Sequence, residues 1–368
     1  MSIHKIAVLG AGNGGCAAAA DLTLRGYEAR LYSRSKTTLQ PMLDRGGIEI
    51  IEGGKHDFAR PYLITSDLAE AVAGADLIII AAPSVAHEFF AKSLASNLEE
   101  GQTILLNGGH TGGGLHLASL LKQYGHQADI GICETVTLTY ICRLTSPASV
   151  EIYRRTTNLR CAAFPGKLAP DIIPPIKEIY PNIVQADNVM QTGLSNINAI
   201  MHPAGIIGNT GWIENSAGNF YFYRQGISPA IAEMIEAVDC ERLDIVKALG
   251  FPPLSFIEIF YQAGLTSDSG RSSASVYRVI KESVPNHTIK SPGNLEHRYL
   301  KEDVGYGLVP MAGIARLAGV ETPVIDSLIT LASVINRIDY NQEGLTLKKM
   351  GLAGLKKESL NTLLHEGF

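Results

Sequence analysis

A glycine-rich turn near the start of the chain constrains the fold more than any other feature. Residues 6–9, which follow Lys5, are apolar, and the alanine-rich residues 15–24 follow the turn. This order predicts a β-strand, a tight turn and an α-helix. Gly10, Gly12 and Gly15 have the G-x-G-x-x-G spacing. In that motif the first glycine permits the turn, the second lets the backbone approach a pyrophosphate, and the third lets the helix pack on the strand. The turn therefore predicts a dinucleotide site; a βα turn without a ligand is the alternative.

Further groups would border the same dinucleotide. Asn13 and Gly14 belong to the start of the predicted helix, whose N–H groups and partial positive charge suit phosphates. Pro83 ends the apolar strand predicted at residues 76–82, and the carboxyl end of a parallel strand would face the nicotinamide side of the site. We therefore expect all three residues to contact the coenzyme.

The end of the second predicted strand, residues 27–32, indicates which dinucleotide is bound. An acidic residue at this place would bind the ribose 2′-hydroxyl of NAD, whereas an arginine with hydroxyl groups would suit the 2′-phosphate of NADP. The chain has Ser33, Arg34, Ser35 and Lys36 here, and no acidic residue. The segment favours NADP(H) over NAD(H), with Ser33 and Arg34 as contacts. A solvated turn that tolerates either coenzyme is the alternative.

Apolar strands alternate with helical segments through the first half of the chain, which is typical of a doubly wound, mainly parallel sheet. Further strands are predicted at residues 103–107 and 129–133, helices at 66–73, 87–95 and 115–124, and a hairpin within 47–62. From residue 189 onward the periodicity is mostly helical. We therefore predict an α/β domain over residues 1–187 and an all-helical domain over residues 188–368.

Composition limits the class of protein. A length of 368 residues suits two domains, and 46% apolar with 18% charged residues is ordinary for globular chains. The net charge of −5 gives no reason to expect nucleic acid or an anionic membrane as a partner. The five cysteines lack zinc-site spacing, and no apolar run approaches the roughly 20 residues of a membrane span. The first strand begins too early for a signal peptide. We expect a soluble, cytoplasmic protein without a metal site.

A polar stripe marks the start of the second half. Gln191, Ser195, Asn198 and His202 recur at steps of four, three and four in an otherwise apolar segment, which is one face of a helix. Such a stripe lines a polar cavity or a subunit contact. Pro203 follows directly, so we expect a kink or break in the helix there. The sequence favours His202 as a catalytic residue facing a cavity; a core or surface histidine with a satisfied partner is the alternative.

Charged side chains lie among glycines in residues 294–308. Arginine is the usual bidentate holder of a carboxylate, which makes Arg298 a candidate for substrate binding. An aspartate can fix the tautomer of a histidine, which makes Asp303 a candidate partner of a catalytic histidine. From this segment alone, a structural ion pair between Arg298 and Asp303 is the alternative.

Four segments taken together are similar to segments of one known family. They are residues 10–15, residues 134–135 with 142–143, residues 196–203, and residues 298–310. Their combination resembles the opine dehydrogenases, which include octopine, nopaline and N-(1-carboxyethyl)-norvaline dehydrogenases. The similarity runs over nearly the whole chain. The resemblance implies a Rossmann-like domain followed by a helical domain.

The same resemblance implies roles for five residues. The catalytic histidine of the family falls on His202, its partner aspartate on Asp303, and its carboxylate-binding arginine on Arg298. Thr135 and Asn107 match residues at the keto-acid site. Family members that use NAD tend to carry an acidic residue where this chain has serine and arginine after its second strand, which puts NAD in doubt.

The implied reaction is the reductive condensation of an amino acid with a pyruvate-like α-keto acid through an imine, giving an N-(carboxyalkyl)amino acid, together with the reverse oxidation. One alternative is a two-domain dehydrogenase of the glycerol-3-phosphate or ketopantoate type, which depends on a lysine that the matching helix lacks. Another is a non-enzymatic NADP(H) sensor, which gives no reason for His202, Arg298 and Asp303. Small-molecule substrates are the expected partners, and a homodimer is a plausible assembly.

Overall fold

The computed structural model describes residues 3–126 and 130–368, which form two compact units. The first unit contains the chain up to Gly109, Gly113–Thr192 and Asn361–Phe368; the second contains His110–Gly112 and Gly193–Leu360. A single boundary near residue 187, as predicted, does not describe two short segments. His110–Gly112 belongs to the second unit although its neighbours in sequence belong to the first, and Asn361–Phe368 belongs to the first unit although it follows the second.

Local contacts explain both of these segments. The backbone N–H of Thr111 donates to the carbonyl oxygen of Tyr306 at 3.3 Å, so the short segment around Thr111 belongs with the helices of the second unit. At the C-terminus, the ring of Phe368 packs on that of Phe164 in the first unit, with 5.2 Å between the centroids. Such long-range contacts leave no local pattern in the sequence.

Two sheets organise the first unit. The strands are β1 (Lys5–Leu9), β2 (Glu28–Tyr32), β3 (Ile48–Glu52), β4 (Lys55–Ala59), β5 (Leu63–Thr65), β6 (Leu77–Ile80), β7 (Thr103–Leu106), β8 (Gly131–Thr135), β9 (Tyr140–Ser146), β10 (Ser149–Arg155), β11 (Leu159–Phe164) and β12 (Ile183–Gln185). The eight-stranded sheet has the order β12-β11-β8-β7-β6-β1-β2-β5, and its neighbours are parallel except β8 and β11. The smaller sheet has the order β4-β3-β10-β9. The predicted doubly wound, mainly parallel sheet is confirmed.

The large sheet is covered on both faces. In β1, Ile6 and Val8 belong to one apolar core cluster, whereas Ala7 and Leu9 belong to another. Successive side chains of a strand point to opposite faces, so a strand buried on both sides has no polar alternation. This is why the inner strands read as continuous apolar runs.

Each predicted strand is observed, whereas β5 and β9 to β12 were not predicted individually. The hairpin predicted within residues 47–62 is formed by β3 and β4. The strand predicted at residues 129–133 is observed as Gly131–Thr135, and residue 129 lies outside the described residues.

Helices cover the large sheet and build the second unit. Up to residue 193 they are α1 (Asn13–Leu24), α2 (Lys36–Arg45), α3 (Leu68–Val72), α4 (His87–Leu94), α5 (Gly113–Gln123), α6 (Ala169–Ile179) and α7 (Val189–Gly193). From residue 197 they are α8 (Ile197–Ile207), α9 (Thr210–Ser216), α10 (Pro229–Ala248), α11 (Phe256–Gln262), α12 (Asp268–Ser272), α13 (Val276–Lys281), α14 (Arg298–Asp303), α15 (Val309–Ala318), α16 (Pro323–Asn336), α17 (Tyr340–Glu343) and α18 (Lys357–Glu366). Phe222–Gly226 and Val304–Leu308 are π-helical turns. Within the described ranges, no helix has both the length and the apolar character needed to cross a membrane.

Of the kink or break expected at Pro203, the break is not observed. Helix α8 continues through Pro203, and the break lies earlier, between α7 and α8. There the buried Arg242 donates to the carbonyl oxygen of Leu194 at 2.9 Å, which satisfies a backbone acceptor that the interrupted helix leaves open. The polar stripe is therefore split between two helices, and Gln191 lies in the first unit while His202 lies in the second.

Candidate active site

The glycine turn has the geometry that the motif demands. Gly10 follows β1 with a φ of +116°, and a side chain there would lie 2.6 Å from the carbonyl oxygen of Ala81. A Cβ on Gly15 would overlap the carbonyl oxygen of Gly10, so α1 packs on β1 only because position 15 lacks a side chain. A Cβ on Gly12 would meet nothing within 4 Å. The motif therefore has two glycines required by packing and one that borders open space.

The start of α1 is suited to an anion. The first turn carries no acidic residue, and its N-cap, Gly12, has no side chain to occupy the N–H groups. Asn13 accepts a hydrogen bond at its side-chain oxygen from the backbone N–H of Leu144 at 2.9 Å, which ties α1 to β9. Gly14 lies close to Leu138. The residues present fit a pyrophosphate at this helix end.

Beyond β2 the chain forms an ordered polar turn. Ser35 caps α2 by accepting from the N–H of Thr38 at 3.2 Å, and its own N–H donates to the hydroxyl oxygen of Ser33 at 3.3 Å. Arg34 is exposed, with its guanidinium 5.1 Å from the ring centroid of Phe89. The turn thus presents a cation that stands on an aromatic ring and has no acidic residue beside it in the sequence.

The remaining predicted residues of the first unit differ in exposure. Pro83 is exposed and precedes the short helical turn Ser84–Ala86. Asn107 is buried and exchanges two hydrogen bonds with Thr139, at 2.9 and 3.0 Å. Thr135 is also buried; its hydroxyl accepts from the N–H of Gly108 at 3.0 Å and lies 2.8 Å from the carbonyl oxygen of Thr137. The polar atoms of Asn107 and Thr135 hold the turn that follows β8.

Glu134 is a functional candidate to which sequence analysis assigned no role. Its carboxyl group is fully buried at the end of β8, bonded to the hydroxyl of Thr192 and, at 2.7 Å, to the N–H of Gly114. Burial raises the pKa of Glu134 to about 7, although both hydrogen bonds act in the opposite direction. The Thr192 hydroxyl also lies 2.9 Å from the carbonyl oxygen of Val189, and it has one hydrogen to donate. A protonated Glu134 satisfies both contacts, because it then donates to Thr192.

In the second unit, α8 and α14 bring His202 and Asp303 together. His202 Nδ1 lies 2.6 Å from Asp303 Oδ2, and both residues are almost completely buried. His202 Nε2 lies 2.9 Å from the hydroxyl of Tyr223. The ring of Tyr299 stacks on the imidazole at 3.7 Å between centroids and an interplanar angle of 12°. The carboxylate therefore holds the proton on Nδ1 and leaves Nε2 as the nitrogen that can exchange protons.

Arg298 and Asp303 do not form the ion pair considered in the sequence analysis. Asp303 is paired with His202, and Arg298 has Glu302 as its partner at 3.7 Å. Glu302 is buried and lies 3.3 Å from Nε2 of His110 as well. The side chain of Arg298 is 50% exposed, so most of its donors remain accessible to a ligand.

Within each unit the predicted residues assemble into one set. In the first, the residues lie at the carboxyl ends of strands of the large sheet: the glycine turn, Ser33, Arg34, Pro83 and Asn107 follow strands, and Thr135 is the last residue of β8. In the second, His202 and Asp303 are in direct contact, with Arg298 one turn before Asp303 on α14. Sequence analysis assigned no catalytic role to Tyr223 or Tyr299, since the sequence does not show what an aromatic ring or its hydroxyl contacts. Glu134 had one available signal, which is a carboxyl group directly after a buried apolar strand.

A parallel sheet with a nucleotide-type glycine turn, followed by helices that bury a histidine–aspartate pair, defines a two-unit, dinucleotide-dependent dehydrogenase. The model of the NAD/NADP octopine/nopaline dehydrogenase α-helical domain matches residues 185–336, and that of the NAD-dependent glycerol-3-phosphate dehydrogenase N-terminus matches residues 5–130. An opine dehydrogenase from Arthrobacter sp. (strain 1C) is 37% identical over 350 residues, which are 95% of each chain. The chain belongs to the opine dehydrogenase family.

Solved structures of low identity share the fold. A complex of octopine dehydrogenase with NADH and L-arginine has a TM-score of 0.78 at 20% identity, covering 99% of this chain and 98% of that one. Yersinopine dehydrogenase with NADP⁺ bound has a TM-score of 0.75 at 15% identity, with the same coverage. The predicted Rossmann-like domain and helical domain are confirmed.

Family membership defines the chemistry. The chain is an NAD(P)-dependent oxidoreductase that acts on CH–NH bonds, and its reaction is the reductive condensation of an amino acid with an α-keto acid. The glycerol-3-phosphate and ketopantoate alternatives are not favoured, since the helical half matches the octopine dehydrogenase model instead.

The two kinds of glycine in the turn can be separated by mutation. Gly15→Ala forces a methyl group onto the carbonyl oxygen of Gly10, so we expect a loss of about 1–3 kcal/mol or more in the free energy of unfolding. Gly12→Ala is the matched control, because its methyl group meets no protein atom; we expect near wild-type stability with weaker coenzyme binding. Urea unfolding and coenzyme titration measure the two effects. Equal stability losses would contradict this division of roles.

Glu134 should make stability depend on pH. A carboxyl whose pKa is raised by folding binds its proton more tightly in the folded chain, so stability falls as pH rises from the usual glutamate range to about 7. Glu134→Gln mimics the protonated form and removes this loss. Between pH 5 and pH 8 we expect the variant to gain on wild type by up to ~3 kcal/mol, measured by urea unfolding. The same change at the exposed Glu100 is the control, and parallel pH profiles of Glu134→Gln and wild type would disprove a buried protonated carboxyl.

Proposed function

We propose that the chain uses NADPH to reduce the imine formed between an amino acid and a pyruvate-like α-keto acid, and that it also catalyses the reverse oxidation. The observation that supports it most directly is the buried His202–Asp303 pair in the helical unit of an opine dehydrogenase. The related structures with NADH, L-arginine and NADP⁺ are those of other proteins, and they make an amino acid and either coenzyme reasonable candidates here.

His202 is the acid–base residue of this proposal. Asp303 orients the imidazole through Nδ1 and compensates positive charge on the ring. In the reductive direction Nε2 supplies the proton that lets the oxygen of the keto acid leave as water; in reverse it accepts a proton from the water that adds to the imine. When bound, the nicotinamide supplies the hydride. Asp303 has a second use as a carboxylate that attracts the incoming ammonium group.

Arg298 is the proposed anchor of a substrate carboxylate. Its side chain is half exposed, and its guanidinium lies 3.7 Å from Glu302 and 5.9 Å from the ring centroid of Tyr299. Neither contact is a bidentate pair, so we propose that the guanidinium forms one with an incoming anion. Asn107 and Thr135 are assigned to the keto-acid site. Because their side chains are buried and bonded within the turn after β8, we propose that they act by shaping the backbone of that site.

Gly10, Gly12, Asn13, Gly14 and Gly15 are the proposed pyrophosphate site, formed by the turn and the start of α1. Pro83 borders the nicotinamide end. Ser33 and Arg34 are the proposed contacts of the adenosine 2′-phosphate, which makes NADPH the preferred coenzyme. A homodimer and a cytoplasmic location remain predictions from the sequence.

The reaction requires both organic substrates at once. We expect NADPH consumption only when pyruvate and an amino acid are present together, with the secondary amine dicarboxylate identified by its mass. In the same assay, His202→Asn should lose at least ~10²-fold in kcat while NADPH still binds. His56→Asn removes another histidine–carboxylate pair, to Glu49 at 3.1 Å on the surface, and should leave kcat unchanged. Turnover with pyruvate alone would reject the opine reaction, and an active His202→Asn would remove His202 from it.

Arg34 should determine coenzyme preference. Arg34→Ala removes the cation proposed to pair with the 2′-phosphate, so we expect the KM for NADPH to rise by about 10-fold or more and that for NADH to change little. Arg60→Ala is the matched control, because Arg60 is also an exposed arginine of the first unit that stands over a ring, that of Phe58 at 5.0 Å. Steady-state kinetics with each coenzyme give the ratio. An equal effect on both coenzymes would argue against a phosphate contact.

A further inference from the structure

The hydroxyl of Tyr223 occupies the only hydrogen-bonding direction that His202 has left. With Nδ1 committed to Asp303, the imidazole can exchange a proton through Nε2 alone, and the Tyr223 oxygen lies 2.9 Å from that nitrogen. His202 and Tyr223 are 3% and 5% exposed. The group that receives a proton from His202 Nε2 must therefore be the Tyr223 hydroxyl, or a substrate group that displaces that hydroxyl.

The surroundings hold the phenol in place. Tyr223 belongs to the π-helical turn Phe222–Gly226, and its ring lies edge-on to that of Phe222 at 5.1 Å. Its hydroxyl also lies 3.4 Å from the hydroxyl of Tyr299, whose ring stacks on His202. The π-helix is rare, and short stretches of it are often found at functional sites. Packing on several sides makes a large swing of Tyr223 away from His202 costly.

The phenol is also chemically suited to pass a proton without keeping a charge. Burial raises the pKa of Tyr223 well above its ordinary value, so a phenolate is strongly disfavoured. A hydroxyl both donates and accepts hydrogen bonds, so it can give up one proton while it takes another.

We propose that Tyr223 is the residue that delivers the proton to the substrate, with His202 as the proton source behind it. This inference rests on the proposed opine reaction, and it assigns the group that contacts the substrate oxygen to Tyr223 rather than to the imidazole.

The proton transfer balances in both directions. In the reductive direction the O–H bond of Tyr223 breaks as its proton moves to the departing oxygen of the substrate, while the Nε2–H bond of a protonated His202 breaks and that proton moves to the phenol oxygen. The phenol is regenerated, the imidazole becomes neutral, and water leaves. In the oxidative direction both protons move the opposite way. The hydride and its electron pair are exchanged with the nicotinamide and not with these residues.

The first experiment is Tyr223→Phe, which deletes one oxygen and keeps the ring. We expect kcat and the single-turnover rate constant of reduction to fall by ~10²-fold or more, with little change in NADPH affinity or thermal stability. Tyr340→Phe is the matched control. Tyr340 is a buried tyrosine of the same unit, its hydroxyl donates to Asn336 at 2.8 Å, and its removal should leave kcat unchanged. An unchanged or increased kcat in Tyr223→Phe, with a lower KM for the keto acid, would show that Tyr223 only fills the site before substrate binds, and would overturn the proposal.

The second experiment is a proton inventory in mixtures of H₂O and D₂O. Two protons that move together give a curved dependence of the rate on deuterium content, so we expect curvature in the wild type and a linear dependence in Tyr223→Phe. A linear wild-type inventory overturns the proposal even if the variant does not fold. A slow variant that keeps the wild-type curvature would assign Tyr223 a structural role and would also overturn it.

These outcomes are separate from the test of the reaction itself. If the wild type does not require a keto acid and an amino acid together, the opine function fails. If it does require both and Tyr223→Phe is fully active, only the relay fails.

Discussion

The contact between His202 and Asp303 is the interaction on which the second unit depends. A buried carboxylate without a partner costs several kcal/mol, so α8 and α14 must meet in the register that places Nδ1 against the carboxylate. The π-helical turn Val304–Leu308 begins directly after Asp303. One contact thus joins two helices that are distant in sequence and leaves a single imidazole nitrogen for chemistry.

The buried carboxyl group of Glu134 contrasts with that of Asp303, because its surroundings favour the uncharged form. Around Glu134 the structure supplies a hydroxyl and one backbone N–H as hydrogen-bond partners, and burial favours the neutral carboxyl. Asp303 instead faces a histidine that can carry positive charge. The two carboxyl groups are both buried, yet their surroundings differ: Asp303 contacts an imidazole, whereas Glu134 contacts a hydroxyl and a backbone N–H.

The fold and most of the candidate site follow from local sequence signals. Apolar runs predicted the strands because the inner strands are buried on both faces, and glycine spacing predicted the turn because Gly15 cannot carry a side chain there. The break near Leu194 was not predicted, because proline is a local signal whereas this break is stabilised by Arg242, which lies far along the chain. The proposed role of Tyr223 could not be predicted from the sequence either, because the sequence shows an aromatic residue but not which nitrogen its hydroxyl contacts.

The glycine-rich segment after β7 shows how a function-like motif can have a packing cause. The run from Gly108 to Gly114 could read as a second phosphate cradle or as room for a ligand at the sheet edge. In the structure, a Cβ on Gly109 would lie 2.6 Å from Glu134 Oε2, and a Cβ on Gly114 would lie 3.0 Å from the same atom. The glycines therefore make room for a carboxyl group of the protein itself. Glu134 also bonds to Thr192. Gly109 and Thr192 are the residues at which two segments of the first unit end, so Glu134 lies beside both of these ends. A side chain at Gly109 or Gly114 would therefore press on the Glu134 carboxyl group and disturb its hydrogen bond to Thr192.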